Sequence, residues 1–190
     1  MTESVSFSPS PSGDHTLIVI PTYNEMSTLP TILGDIWANV PDAHVLIVDD
    51  SSPDGTGEWV DTRRESEERL HVLHRPAKSG LATAYVDGMG WGIDHGYPFI
   101  LQMDADGSHR PVDLPKLLSR MAGPDRPDLV IGSRWVPGGT INGCRRSASL
   151  CPKRAIIMSV CVWARPCAMR RQVYAYTEHL SCANMRFSVG

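Results

Sequence analysis

Several signatures that would place a protein in a common class are missing from this 190-residue sequence. It contains no run of about 18 apolar residues, so it predicts no membrane-spanning helix. Its N-terminus lacks a basic start followed by an apolar stretch, so it predicts no secretory signal and a cytoplasmic location. The formal net charge is −3 at pH 7, and we therefore expect no nucleic-acid partner.

Common nucleotide-binding and nucleophile motifs are also absent. No GxGxxG follows the first apolar run and no GxxxxGK(S/T) occurs, which disfavours a dinucleotide-binding domain and excludes a P-loop enzyme. There is no GxSxG elbow. The 7 histidines show no zinc spacing, and the 5 cysteines form no CxxC pair. We expect neither a zinc site nor a disulfide framework, and a surface position for His109.

Short apolar runs alternate with helical patterns through the first two thirds of the chain. The runs are continuous rather than alternating, which is typical of strands covered on both faces of a parallel sheet. We therefore predict an α/β fold with a central, mostly parallel sheet and helices on both faces. The predicted strands cover residues 17–20, 45–50, 70–75, 98–107 and 128–134, and the predicted helices cover 27–39, 57–69, 81–96 and 111–122.

The chain divides into three predicted regions. Residues 1–15, rich in Ser and Pro, predict a disordered N-terminal arm. Residues 16–142 contain the strand and helix pattern and form the predicted α/β domain. Residues 143–190 hold all 5 cysteines and show no clean periodicity, so we expect this tail to be poorly ordered.

Polar side chains follow four of the predicted strands, where ligands bind in parallel sheets. Asp104 and Asp106 could hold one Mg²⁺ or Mn²⁺ and through it a diphosphate, although two solvated turn acids are the alternative. Asp50 ends the second strand and could act like the Asp104 and Asp106 pair. The alternative is an acid that caps the next turn. Arg134 could contact a phosphate oxygen, or be a solvated loop residue.

Three further residues follow the first and third strands with weaker support. Tyr23 offers a ring for stacking on a base and Glu25 offers a carboxylate acceptor, although the segment PTYNE also suits a simple turn. Lys78 could approach the same region, but exposed loop lysines are the rule.

The chain resembles the family 2 glycosyltransferases in an ordered set of motifs, and within them it is most similar to the dolichol-phosphate (polyprenol-phosphate) mannosyltransferases. The motifs are PTYNE, VDDSSPDGTG, KSGLATAY, QMDADGSHRP and VIGSRW, within residues 16–142. Two positions differ from the family pattern, because Ser51 and Ala82 stand where glycine is usual. The resemblance implies a GT-A-like nucleotide-sugar-binding fold.

The resemblance also implies the site and the reaction. The nucleoside side of the donor site would be Pro21, Tyr23, Glu25, Val48 and Asp50. The metal and diphosphate side would be Asp104, Ala105, Asp106 and Arg134, with the metal on Asp104 and Asp106. The implied reaction transfers mannose from GDP-mannose to a polyprenyl or dolichyl phosphate with inversion and a divalent metal. No general base is assigned, and peripheral contact with a membrane or a membrane-embedded partner is expected.

The family resemblance stops near residue 142. Family members continue with an acceptor-binding segment that this chain lacks in the given frame. Divergence is one explanation, and loss of one base near Asn142 is another. Suitable codons for residues 154–160 and 167–173 give GNNYV and RDATAG in the shifted frame, which resemble the missing segments. Two alternative functions therefore stay open: a non-catalytic remnant that binds a nucleotide sugar, and a related transferase that uses UDP-glucose.

Overall fold

The computed structural model describes residues 9–125 and 127–132, together with the backbone of residues 161–164 and 187–189. Strands and helices alternate along it. The strands are β1 (Thr16–Thr22), β2 (His44–Asp49), β3 (Leu70–His74), β4 (Phe99–Gln102), β5 (Leu129–Ile131), β6 (Cys161–Ala164) and β7 (Phe187–Val189). The helices are α1 (Leu29–Asn39), α2 (Thr56–Arg64), α3 (Leu81–Asp94) and α4 (Leu114–Met121), and a 3₁₀ turn, Pro111–Asp113, precedes α4.

The strands form one sheet in the order β3-β2-β1-β4-β6-β5-β7. All of them run in the same direction except β6, which is antiparallel to both β4 and β5. The predicted α/β fold with a mostly parallel sheet is therefore confirmed. Because β1 lies between β2 and β4, the loops that leave these three strands share one edge of the sheet.

Alternate residues of each central strand pack against helices on opposite faces of the sheet. On β1, Ile18 and Ile20 join the core cluster that contains α1 and α4, whereas Leu17 and Val19 join the cluster that contains α3. On α1 the buried residues are Leu29, Ile32, Leu33 and Ile36, the apolar stripe that the sequence predicts. Helices on both faces are therefore confirmed.

Both ends of the chain add contacts that the sequence analysis did not contain. The predicted arm is described from residue 9, and residues 9–15 turn against the domain, where the Asp42 N–H donates to the Ser12 carbonyl at 2.9 Å. This part of the arm is thus attached rather than free. In the tail, β6 and β7 join the sheet; the rest of residues 143–190 lies outside the described residues, so its expected poor order stays a prediction.

Candidate functional site

The loops that follow β1 and β2 are joined through the buried carboxylate of Asp49, which is 2% exposed. Its Oδ1 accepts hydrogen bonds from the hydroxyls of Thr22 at 2.9 Å and Ser52 at 2.6 Å. Its Oδ2 accepts the Ser52 N–H at 3.0 Å. These bonds fix the direction in which both loops leave the sheet.

Further hydrogen bonds tie the PTYNE loop to the segment between β2 and α2. The Asn24 N–H donates to the Ser52 hydroxyl at 3.0 Å, and the Glu25 N–H donates to the Thr56 hydroxyl at 3.2 Å. The Met26 N–H donates to the Asp54 carboxylate at 3.1 Å. The exposed loop after β1 is therefore held by side chains of the later segment as well as by its own backbone, in which the Thr28 N–H donates to the Glu25 carbonyl at 3.1 Å.

Ser51, which stands where the family usually has glycine, adopts a left-handed backbone with φ of 55°. This region favours glycine, which explains the family preference. The serine hydroxyl donates to the Arg75 carbonyl at 2.6 Å, a contact that glycine cannot make. The departure therefore keeps the turn and adds a link to the end of β3.

Asp50, a predicted donor-site residue, is buried and paired with Arg75. The Arg75 guanidinium, in a side chain only 8% exposed, donates to the Asp50 carboxylate at 2.6 Å. Its two remaining nitrogens contact the Asp87 carboxylate at 2.9 Å and the Thr83 hydroxyl at 2.8 Å, both on α3. One buried cation thus joins the loop after β2 to the first half of α3.

Asp104, which follows β4, is held from two sides. The Tyr85 hydroxyl on α3 donates to its carboxylate at 2.5 Å. Its own N–H donates to Nδ1 of His109 at 2.9 Å, which assigns the proton of a neutral ring to Nε2. His109 is 8% exposed and its Nε2 has no hydrogen-bond partner among the described residues, so the expected surface position is wrong.

Asp106 is the more exposed member of the pair. Burial alone raises the pKa of this carboxyl, but hydrogen bonds from Ser108 and the electrostatic interaction with His109 outweigh it, and the pKa is lowered. The Ser108 N–H donates to Oδ1 at 2.8 Å. Asp106 is therefore ionised at neutral pH.

These oxygens suit a hard divalent cation. Within residues 9–125 and 127–132, no group of 3 or more His, Cys, Asp or Glu side chains is placed to hold a metal by itself. Mg²⁺ in nucleotide sites is commonly bound by one or two carboxylates, with substrate phosphates and water completing the shell. Asp104 and Asp106 supply two carboxylates of that kind, so substrate phosphates and water would have to complete the shell.

The other predicted site residues have diverse surroundings. Tyr23 is 38% exposed, and the Lys78 ammonium lies 3.9 Å from its ring centroid. The Glu25 carboxylate accepts the Thr28 hydroxyl at 2.8 Å. Ala105 is buried beside the two aspartates.

Two predicted residues lie within the strands themselves. Pro21 pairs with Val48 in the register of β1 and β2, and Val48 is fully buried against α3. Arg134 lies outside the described residues. A common cleft formed by Asp50, Asp104, Asp106 and Arg134 stays a prediction.

Sequence reasoning missed Arg75, Tyr85 and His109 as parts of this region. Arg75 is the last residue of a predicted strand, and Tyr85 ends the motif KSGLATAY, so both signals were present. What the sequence does not contain is the partner of each side chain, because both contacts join segments that only the fold brings together. A buried His is likewise indistinguishable from a surface His without its neighbours.

Comparison with known proteins gives close relatives for part of the chain. Glycosyl transferase family 2 matches residues 17–186. The undecaprenyl-phosphate mannosyltransferase of Micrococcus luteus is 54% identical over 123 residues, which cover 65% of this chain and 49% of that protein. The polyprenol monophosphomannose synthase of Mycolicibacterium smegmatis is 50% identical over 128 residues, covering 66% and 47%. The chain thus spans about half the length of these relatives.

Solved structures share the fold at low identity. The mannosyltransferase PcManGT from Pyrobaculum calidifontis, in complex with GDP-Man and Mn²⁺, is 16% identical with a TM-score of 0.61 over 97% of this chain and 57% of that one. TarS of S. aureus is 18% identical with a TM-score of 0.60, over 92% and 57%. The fold is thus of the GT-A type, and the family match covers most of the sequence. This chain belongs to glycosyl transferase family 2.

Proposed function

We propose that the chain carries the donor site of an enzyme that transfers mannose from GDP-mannose to a polyprenyl or dolichyl phosphate. One observation carries the proposal. Over the aligned residues the chain is 54% and 50% identical to two proteins that are named for mannose transfer to such lipids. The family match, from residue 17 to 186, includes the loops after β1, β2 and β4. An exposed Tyr, a buried Asp and two further Asp residues at those loops support a nucleotide-sugar site.

The nucleoside of the donor would lie on the β2 side of β1, and its diphosphate would lie on the β4 side. Tyr23 and Glu25 in the loop after β1, with Asp50 after β2, would contact the nucleoside. Asp104 and Asp106 after β4 would hold a Mg²⁺ or Mn²⁺ on the diphosphate, and Arg134 would add a positive charge. A divalent cation bound there would stabilise the negative charge that develops on the leaving diphosphate.

The residues of this chain would act mainly by positioning. The acceptor phosphate is already ionised at neutral pH, so no side chain has to remove a proton from the nucleophile. The site must instead hold the sugar so that a phosphate oxygen attacks opposite the leaving diphosphate, which gives inversion. Tyr85 and Arg75 fix two of the carboxylates, and Asp49 fixes two of the loops.

The acceptor suggests where the enzyme would work. Of the helices in the part of the chain that the structure describes, none is long and apolar enough to cross a bilayer. A polyprenyl phosphate lies in a membrane, so we propose peripheral contact with the cytoplasmic face or with a membrane-embedded partner.

A transfer assay tests the proposed donor and acceptor. The full chain is incubated with Mn²⁺, polyprenyl phosphate in detergent and radiolabelled GDP-mannose or UDP-glucose, and the label in the lipid phase is counted. We expect any label that this chain transfers to come only from GDP-mannose, and we expect none after the Asp104→Asn substitution. Label from UDP-glucose alone would identify the other donor. If no label transfers although GDP-mannose binds, the chain is a binding remnant.

A further inference from the structure

We propose that α3 positions the carboxylates on both sides of the donor site, with Tyr85 orienting Asp104 and Arg75 orienting Asp50. This inference rests on the proposed function and extends it to three residues of one helix, Thr83, Tyr85 and Asp87, and to Arg75. Tyr85 and Arg75 are positioning residues, because each acts through a carboxylate rather than on the substrate.

Tyr85 is placed to select one orientation of Asp104. Its hydroxyl donates to Oδ1 at 2.5 Å, so the carboxylate cannot rotate without losing this bond. The backbone N–H of Asp104 is fixed independently by His109 at 2.9 Å. With one oxygen occupied by Tyr85, the other oxygen of Asp104 is directed to a cation. Partners that orient a metal ligand in this way contribute substantially to metal affinity.

Arg75 is placed to hold the Asp50 carboxylate in one orientation. Its three guanidinium nitrogens have three different partners, at 2.6 Å, 2.9 Å and 2.8 Å. Two of these partners, Thr83 and Asp87, are four residues apart on α3 and therefore lie on the same face of the helix. A lysine has one nitrogen and cannot span all three partners, so Arg75→Lys is not a conservative change here.

The helix itself has little freedom to move. Gly88 and Gly92 face the sheet, and a Cβ at Gly92 would lie 2.7 Å from Ile100 and 2.8 Å from Leu17. Such close packing fixes the height of α3 above β1 and β4. Since β1 separates Asp50 from Asp104, a helix seated at this height reaches Asp104 through Tyr85 and Asp50 through Arg75. The distance between the nucleoside and metal sides of the site is thereby set by one rigid element.

The effect of Tyr85 is measured by titrating the full chain with Mn²⁺ alone and following free Mn²⁺ by electron paramagnetic resonance. For Tyr85→Phe we expect Mn²⁺ affinity to fall about tenfold, in the range known for partners that orient metal ligands. Tyr97→Phe is the matched control. It removes a half-buried hydroxyl, 2.8 Å from His44, at the opposite edge of the sheet, and we expect no change in affinity.

The effect of Arg75 is measured by calorimetry with GDP at saturating Mn²⁺. Arg75→Lys should weaken GDP binding about tenfold, which is about 1.4 kcal/mol, while Mn²⁺ affinity changes less than about twofold. Arg69→Lys is the control, because Arg69 pairs with Glu67 at 2.6 Å at the other edge of the sheet. If Arg75→Lys does not fold, Thr83→Val removes one partner only and should show the same direction.

The outcomes separate this inference from the proposed function. Asp104→Asn should weaken or abolish specific Mn²⁺ binding; if Mn²⁺ affinity is unchanged, the proposed metal site is wrong. If Asp104→Asn weakens Mn²⁺ binding but Tyr85→Phe behaves like the Tyr97→Phe control, the metal site stands and the role of Tyr85 is overturned. Equal effects of Arg75→Lys on GDP and on Mn²⁺ affinity would indicate general loosening of the fold and would overturn the role of Arg75.

Discussion

Asp49 is the residue that joins the first two site loops, and its carboxylate accepts three hydrogen bonds while almost fully buried. For Asp49→Ala we expect the free energy of unfolding to fall by about 2–4 kcal/mol, because the Thr22 and Ser52 donors lose their partner. Denaturant unfolding measures the change. The control is Asp125→Ala, which removes an exposed partner of Arg120 and should cost less than about 1 kcal/mol. Equal losses would contradict the central role of Asp49.

His71 gives the stability of the domain a dependence on pH. Burial, together with the nearby charges of His44, His95 and Arg64, lowers its pKa from 6.5 to about 4. In the unfolded chain His71 therefore binds a proton near pH 6.5, whereas in the folded chain it does not bind one until about pH 4. The contribution of neutral His71 to stability is complete above the unfolded pKa of 6.5, and it decreases as the pH falls from 6.5 towards about 4.

Between pH 7 and pH 5 we expect the His71 contribution to stability to fall by roughly 1–2 kcal/mol, which allows for partial exposure of the ring. Denaturant unfolding at both pH values measures this. His71→Phe keeps a ring against Trp91 but does not titrate, so its stability should change less with pH. If the free energy of unfolding changes with pH as much in this variant as in the unmodified chain, the pH dependence comes from other groups.

At the residue scale, the sequence predicts acids and a Tyr at strand ends but not how they are oriented. Asp104 and Asp106 follow β4 as predicted, because Asp terminates an apolar run by favouring a turn. The roles of Tyr85 and Arg75 depend on contacts between segments 19 and 25 positions apart, which no local pattern encodes. Val48 shows the opposite case, since a residue assigned by resemblance is buried in the core.

At the scale of elements, α3 contains glycines for two different reasons. A Cβ at Gly88 would collide with Val19 and lie 3.0 Å from Val48, whereas Gly90 has nothing within 4 Å. We expect Gly88→Ala to destabilise the domain by about 1–3 kcal/mol through overpacking against two stiff side chains. Gly90→Ala on the same helix should instead stabilise it by up to about 1 kcal/mol, the helix propensity of alanine.

Thermal unfolding of the two glycine variants provides the measurement. Opposite signs are the expected result, because both changes add the same methyl group to the same helix. Gly88→Ala should also weaken Mn²⁺ binding if the height of α3 sets the position of Tyr85. A stabilising Gly88→Ala would show that the helix can shift outward without cost.

Helices and buried strands were the predictable elements, and their ends were less so. The four buried residues of α1 follow from helical spacing alone. In contrast, α2 ends at Arg64 rather than at residue 69, because Arg69 turns to pair with Glu67. β6 was not predicted, since its place between β4 and β5 arises from pairing over long sequence distances.

At the scale of the whole molecule, the family resemblance would place the acceptor-binding segment in the tail. In the given frame, residues 155–158 are Ala155, Ile156, Ile157 and Met158, none of which can hold a phosphate by charge. Correct placement of a reactant contributes as much as about 7–11 kcal/mol to lowering a barrier. We therefore predict weak or no transfer by this chain, with donor binding retained.

Sequencing the DNA that encodes residues 140–175, followed by the transfer assay, tests this prediction. If the shifted frame encodes GNNYV and RDATAG, restoring one base near codon 142 should raise transfer at least about 100-fold, a small part of the available positioning effect. Codons that cannot give these segments exclude the frame shift. Fast transfer by the unmodified chain would contradict the prediction whatever the codons are.

The central claim is that the edge of the sheet after β1, β2 and β4 binds a nucleotide sugar through a divalent cation on Asp104 and Asp106. Calorimetric titration of the full chain with GDP-mannose, with and without Mn²⁺, tests it most directly, with Asp104→Asn as the comparison. We predict saturable 1:1 binding that requires Mn²⁺ and is lost in Asp104→Asn. GDP-mannose binding of equal strength in the variant, or no binding by the unmodified chain at any Mn²⁺ concentration, would contradict the account.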